Sequence, residues 1–377
     1  MKKKLALALA AVMVIGLFAG CSSKPSGGSA SGSASGSQSQ QGGSSAAQGE
    51  ELKVGVFYYN FADPYITTVR TAMDAELNAL GVKFQNFDAQ TSQSAQTDQI
   101  NTAITDGYNL LIINIVENAS PDAAKNAVDA AKEKGIPVIL FNREIDNSVV
   151  QSYEDCAFVG TDAPEAGHMQ GKMVGEYLLE NYDAVDLNGD GKISYVMFKG
   201  QEGNAEAEAR TQFGVEDANA VLTAAGKPEL EFFDAKNTSK YLVDTTGAWS
   251  SQAATDYMNN ILAEYNDGNN NMVELVIANN DGMAEGAVSA LQGVGYNNDA
   301  SKAIPVFGVD ALASAVEKID AGQMTGTVKQ DGEAMAATIA TLVKNIQDGA
   351  SIMDNTDQYN VDNDVAKIRV PYALYTK

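Results

Sequence analysis

Basic residues are scarce in this chain: 25 Lys and Arg stand against 49 Asp and Glu in 377 residues, a net charge of −24. A chain that acidic repels phosphates, which excludes nucleic acid as a partner and leaves no polybasic patch for a lipid surface. Histidine is rarer still. The single one, His168, has no second ligand at metal spacing and reads as a surface or core residue. There are two cysteines, Cys21 and Cys156, and one tryptophan, Trp249. The apolar stretch near the start, Leu5 to Phe18, has fourteen residues. A spanning helix needs roughly 20.

That stretch follows Lys2, Lys3 and Lys4 and reads as a secretory signal. It closes in Leu17-Phe18-Ala19-Gly20-Cys21, which resembles the lipobox of bacterial lipoproteins, with Phe18 where that motif usually has Leu. The resemblance implies a lipoprotein signal peptide over residues 1–20 and acylation of the Cys21 thiol. Residues 22–49 are almost entirely Ser, Gly, Gln and Ala and cannot bury enough apolar surface to offset the entropy of ordering. Residues 21–50 are therefore expected to be a lipidated cysteine and a disordered tether, with a reach of roughly 30 Å. The expected location is the extracytoplasmic face of the cell membrane, touched only through the lipid. With Cys21 acylated, Cys156 has no disulfide partner, and its strand-like flanks predict a buried, inert thiol.

From residue 51 onward short apolar strands alternate with amphipathic helices. Leu52–Tyr58, Val82–Phe87, Leu110–Ile113, Ile136–Phe141 and Phe158-Val159 read as strands. After Gly160-Thr161-Asp162 the rhythm restarts, with strands at Ile193–Phe198, Leu230–Phe233, Leu275–Ala278 and Val306–Val309. The pattern predicts an α/β chain of two doubly wound parallel-sheet lobes. The chain must cross back at Val328-Lys329-Gln330 and again in a last strand at about 368–375, so the lobes share a three-strand hinge. The expected N-terminal lobe is 51–160 plus 331–366, and the C-terminal lobe 163–328 plus 368–377. Ligands in such folds sit beyond the C-terminal ends of the strands, here between facing lobes.

Polar residues gather at those strand ends. Asp63 and Tyr65 follow the first strand, Asn142 the fourth, and Asn204, Glu206 and Arg210 open the helix after Phe198. Asn280 and Asp310 end the later strands, and Gln330 lies on the return. Carboxylates, amides and one Arg suit a ligand made of hydroxyls, each of which both donates and accepts. Tyr65 and Trp249 could cover the two apolar faces of a pyranose. Any one of the Asp and Asn residues could equally be an N-cap, and a lone Trp could be core.

Taken together, Lys53–Val56 with Asp63-Pro64-Tyr65, Pro137–Asn142, Val159–Asp162, Ala205–Thr211, Val276–Asp281, Ile304–Ala311 and Arg369–Tyr372 make the body similar to the periplasmic glucose/galactose-binding proteins, type I solute-binding proteins of ABC transporters. The resemblance implies sugar contacts from Asp63, Asn142, Arg210, Asn280 and Asp310, with Tyr65 and Trp249 on the ring faces. Asn204, Glu206 and Gln330 stand where the family usually has His, Asp and Asn. Two of these add a methylene to the pocket, so a related pentose competes with glucose and galactose as ligand.

Asp186, Asn188, Asp190, the Lys192 carbonyl and Ser194 fall at positions 1, 3, 5, 7 and 9 of a calcium-type loop over residues 186–194. Position 12 is Met197, so the segment is either an Asx-rich turn or takes its last carboxylate from elsewhere. The resemblance implies the second, with Glu274 as the remote ligand of a structural calcium.

The resemblance implies a monomer that hands a monosaccharide to an ABC permease and serves a chemoreceptor as a further partner. A sensor without transport is the alternative. An enzyme would need an activated nucleophile, and no residue is marked as one, although Asp63 and Asp310 could mimic a glycosidase pair.

Overall fold

The computed structural model describes residues 51–362 and 364–377. The expected signal peptide, the Cys21 lipidation site and the tether lie outside them. The first half of the chain runs β1 (Lys53–Tyr58), α1 (Pro64–Ala79), β2 (Lys83–Asp88), α2 (Gln93–Thr105), β3 (Leu110–Ile113), α3 (Asp122–Lys132), β4 (Val138–Asn142), α4 (Asn147–Gln151) and β5 (Cys156–Gly160). The second begins with α5 (Ala163–Val185), β6 (Ser194–Lys199), α6 (Ala205–Ala224), β7 (Glu231–Phe232), β8 (Leu242–Val243) and α7 (Ser251–Glu264). It continues through β9 (Leu275–Ala278), α8 (Asp281–Gly293), β10 (Val306–Asp310), α9 (Ala313–Asp320) and β11 (Gly326–Gln330). The chain then runs α10 (Gly332–Gln347), β12 (Asn360–Asp362), β13 (Lys367–Arg369) and β14 (Tyr372–Thr376).

Two seven-stranded sheets result. One has the order β12-β13-β5-β4-β3-β1-β2; the other runs β14-β11-β10-β9-β6-β7, with β8 also pairing β6. The β1–β5 and β6–β11 pairings are parallel. This is the expected α/β architecture of two parallel-sheet lobes. All four side chains of β3 are fully buried, as are Val138 to Leu140 of β4, because helices cover both faces of each sheet. Cys156 is buried in the strand expected of it.

The chain passes between the sheets three times: at Thr161-Asp162, at Asp331 and at Val370-Pro371. The third passage differs from the sequence expectation. The sequence predicts a single last strand at about 368–375 that makes this crossing, with 368–377 in the C-terminal lobe. Instead Lys367–Arg369 pairs in parallel with β5 in the N-terminal sheet, and Tyr372–Thr376 pairs antiparallel with β11 in the other. Pro371 has no N–H to offer a ladder, so the strand breaks there and changes sheets. The N-terminal lobe thus extends to Arg369, beyond the expected 366.

Candidate functional site: a polar cleft between the lobes

The C-terminal ends of β1, β4, β6, β9 and β10 face a common void. Concave, polar-lined sites at strand ends between two layers are where small ligands bind in such folds. The walls of the void hold all ten residues expected from the sequence: Asp63, Tyr65, Asn142, Asn204, Glu206, Arg210, Trp249, Asn280, Asp310 and Gln330.

Three of these are N-caps, and the capping is what aims them. Asp63 Oδ1 accepts from Ile66 N–H (3.0 Å) at the start of α1, with Pro64 at its first position. Asn204 Oδ1 accepts from Ala207 N–H (2.9 Å) and Asn280 Oδ1 from Met283 N–H (2.9 Å). The bland and functional readings of these residues therefore coexist. One atom closes a helix while the other faces the cleft side: Asn204 Nδ2 donates to Asn118 Oδ1 (3.0 Å), and Asn280 Nδ2 to the Trp249 carbonyl (3.2 Å). Asn142, Trp249 and Asp310 all have positive φ, at 68°, 57° and 124°. L-residues held in that region store strain, and three in one cavity mark a built site.

Arg210 is the electrostatic centre. Its Nη1 donates to the Asn279 carbonyl (2.9 Å) and its Nη2 to Gln330 Oε1 (3.1 Å) and the Tyr372 hydroxyl (3.0 Å). Gln330 and Tyr372 lie on two strands that lead into or out of the lobe crossings, so the guanidinium is tied to the hinge. Burial disfavours its charge, but Tyr372, Asp310 and Glu206 outweigh that and raise its pKa. Burial pushes the carboxyls of Asp63, Glu206 and Asp310 above the usual carboxylate range. Behind Asp310, the buried Asp281 accepts from Thr327 Oγ1 (2.6 Å) and Leu312 N–H (2.8 Å), and burial raises it to about 7. Gly308 leaves room for it, since a Cβ there would lie 2.2 Å from Asp281 Oδ1.

Four atoms of the cavity wall are buried and without a partner among the described residues: Tyr65 OH, Arg210 Nε, Trp249 Nε1 and Gln330 Nε2. Buried polar groups are almost always paired, so such a cluster asks for a ligand rich in hydroxyls.

Sequence reasoning missed Tyr59 and Arg143, which also line the void. Tyr59 OH donates to Asp63 Oδ2, and the Arg143 guanidinium lies 3.6 Å over the Tyr59 ring. Arg143 directly follows Asn142, which was the signal available. Asn118, in the loop after β3, was missed as well, although every neighbouring strand end had supplied a candidate.

The 186–194 loop lies elsewhere, before β6. Asp186 accepts from the N–H groups of Gly189, Asp190 and Gly191, and Asp190 Oδ1 from Lys192 N–H. Glu274, 1 % exposed, accepts from Asn188 N–H (2.9 Å) at Oε1 and from Ser194 N–H (2.8 Å) and Oγ (2.9 Å) at Oε2. Burial, then the nearby Asp186 charge, raise the Glu274 carboxyl despite those bonds. Among the described residues no group of three or more His, Cys, Asp or Glu is arranged as a metal cluster. The loop's side-chain oxygens are hard donors of the kind a calcium-type cation takes, and here those of Asp186 and Glu274 accept from the loop's own N–H groups. His168 bonds Asp217 (2.7 Å) on the exposed faces of α5 and α6, far from any such set.

The periplasmic binding protein domain model matches residues 54–351. The chain is 33% identical over 332 residues to the D-galactose/methyl-galactoside binding periplasmic protein of Haemophilus influenzae, covering 88% of this chain and 91% of that one. It is 26% identical to the D-xylose-binding periplasmic protein of Escherichia coli, over 85% of each chain. Among solved structures, an ABC transporter solute binding protein from Bacillus halodurans with bound myo-inositol superposes with a TM-score of 0.65 at 23% identity, over 88% of this chain and 96% of that one.

Proposed function

From its membership of the periplasmic binding protein family, a family of non-enzymatic solute-binding proteins, we propose that this chain captures one monosaccharide between its lobes for an ABC importer. Glucose or galactose is the foremost ligand. The observation that carries this reading is the set of four unpartnered buried atoms on Tyr65, Arg210, Trp249 and Gln330 around one void at the strand ends. Asp310 and Asn280 add acceptors and donors on one lobe, and Asp63 and Asn142 on the other.

The test is calorimetry on the chain lacking residues 1–20, with Cys21→Ser, against glucose, galactose, xylose and ribose. A hexose dissociation constant below about 100 μM is expected; weaker binding of all four sugars overturns the assignment. A pentose is the second reading, favoured by Glu206, whose carboxylate occupies the space between the lobes.

The reading extends to three features. The Lys2–Cys21 segment supports a lipoprotein anchored on the extracytoplasmic face of the membrane. The Asp186–Ser194 loop with Glu274 supports a structural calcium, in which Asp186, Asn188, Asp190, Lys192, Ser194 and Glu274 hold the ion and the ion offsets the repulsion between Asp186 and Glu274. A monomer that also reports to a chemoreceptor completes the picture.

A further inference from the structure

Trp249 has a conformation that its own sequence does not favour. Its φ is 57°, which costs an L-residue steric energy, and it sits between the turn at 245–248 and Ser250, the N-cap of α7. Yet the ring is only 7 % exposed and walls the ligand cavity.

The restraint comes from Asp244. One oxygen accepts from Thr246 N–H (2.9 Å) and Thr246 Oγ1 (2.6 Å), the other from Ser250 N–H (2.9 Å) and Ser250 Oγ (2.9 Å). The carboxylate thus ties together the residues on both sides of Trp249. Asp244 is itself fixed, 3 % exposed, with its N–H bonded to the Lys199 carbonyl at the end of β6 (2.9 Å). Burial opposes its ionisation, but the bonds from Thr246 and Ser250 outweigh burial and hold the carboxyl below its ordinary value. From the other side the indole lies on Gly200, where a Cβ would come within 2.1 Å of the ring.

We infer that Asp244, which does not line the cavity, is the positioning residue of the Trp249 platform: it bridges Thr246 and Ser250 and so sets the plane against which the ligand packs. This rests on reading Trp249 as a ligand wall, and the experiment separates the two ideas. Trp249 is the only tryptophan, so its fluorescence reports this position alone.

In the ligand-free protein, Asp244→Asn should shift the emission to the red, raise acrylamide quenching and lower the anisotropy. Far-UV circular dichroism and cooperative melting should be kept. Thr246→Val, which removes one of the four bonds, should move the same readouts part of the way, and it carries the test if Asp244→Asn does not fold. Glucose affinity should fall about tenfold in Asp244→Asn, the worth of one displaced aromatic platform. Unchanged quenching and anisotropy in folded variants overturns the inference. Altered fluorescence in a protein that binds no sugar leaves the Asp244 inference standing and overturns the sugar reading instead.

Discussion

Glu206 Oε1 accepts from the backbone N–H of Glu144 at 2.6 Å, a bond that runs from the C-terminal lobe across the cleft to the N-terminal one. The other oxygen faces Asn118 Nδ2 at 3.5 Å, and Asn204 reaches the same residue. Glu144 is in turn fixed by Arg369 and Lys367 on β13. A carboxylate one methylene shorter would stop short of these partners, so the extra length of Glu206 joins the lobes as well as lining the cavity.

Glu206→Asp should therefore weaken every bound sugar by a similar factor, about tenfold for the loss of one charge-assisted bond of about 1.5 kcal/mol. The change should lie in the dissociation rate. Stopped-flow measurements on hexoses and pentoses decide it: a loss confined to one sugar would show that Glu206 reads a hydroxyl instead.

Asp310→Ala removes the carboxylate that faces Arg210 in the cavity and leaves the buried guanidinium with a smaller counter-charge. Sugar binding should fall at least about 100-fold, from a loss of about 3 kcal/mol, by titration calorimetry. Circular dichroism should stay unchanged.

The buried Asp281 makes stability depend on pH. Its folded-state pKa, about 7, lies above the ordinary 3.8, so the native state holds its proton more tightly than the unfolded one. Its contribution is fully present below the ordinary value and is lost as pH rises toward about 7. Asp281→Asn, which stays neutral, should flatten the fall in melting temperature between about pH 4 and 8 seen by scanning calorimetry. An unaltered slope would place the titration elsewhere.

Chelation should lower the melting temperature of the intact protein, and added calcium should restore it. Glu274→Ala should melt at one temperature with and without calcium. Calcium affinity that survives this substitution would show that the loop closes without its remote carboxylate.

Most of the two-lobe plan could be read because fully buried parallel strands leave uninterrupted apolar runs such as Leu110–Ile113. The strand-end residues were legible for a related reason: capping needs the same Asp and Asn that the cleft displays. What stayed hidden depends on geometry that composition does not record. The two residues of β8 are too few to show a period. Tyr59 looks like one more core aromatic until its hydroxyl meets Asp63. The split of the last strand turns on Pro371, whose effect appears only once both sheets are present.

That split has a consequence for biogenesis. The N-terminal sheet takes its β13 strand from far downstream, with Arg369 bonding Thr161 across a separation of 208 residues. Neither lobe can finish its sheet until almost the whole chain described has been made. Pairings that distant close slowly, which keeps a nascent chain unfolded for longer. A polypeptide that must thread through a secretion channel before it folds gains from that delay.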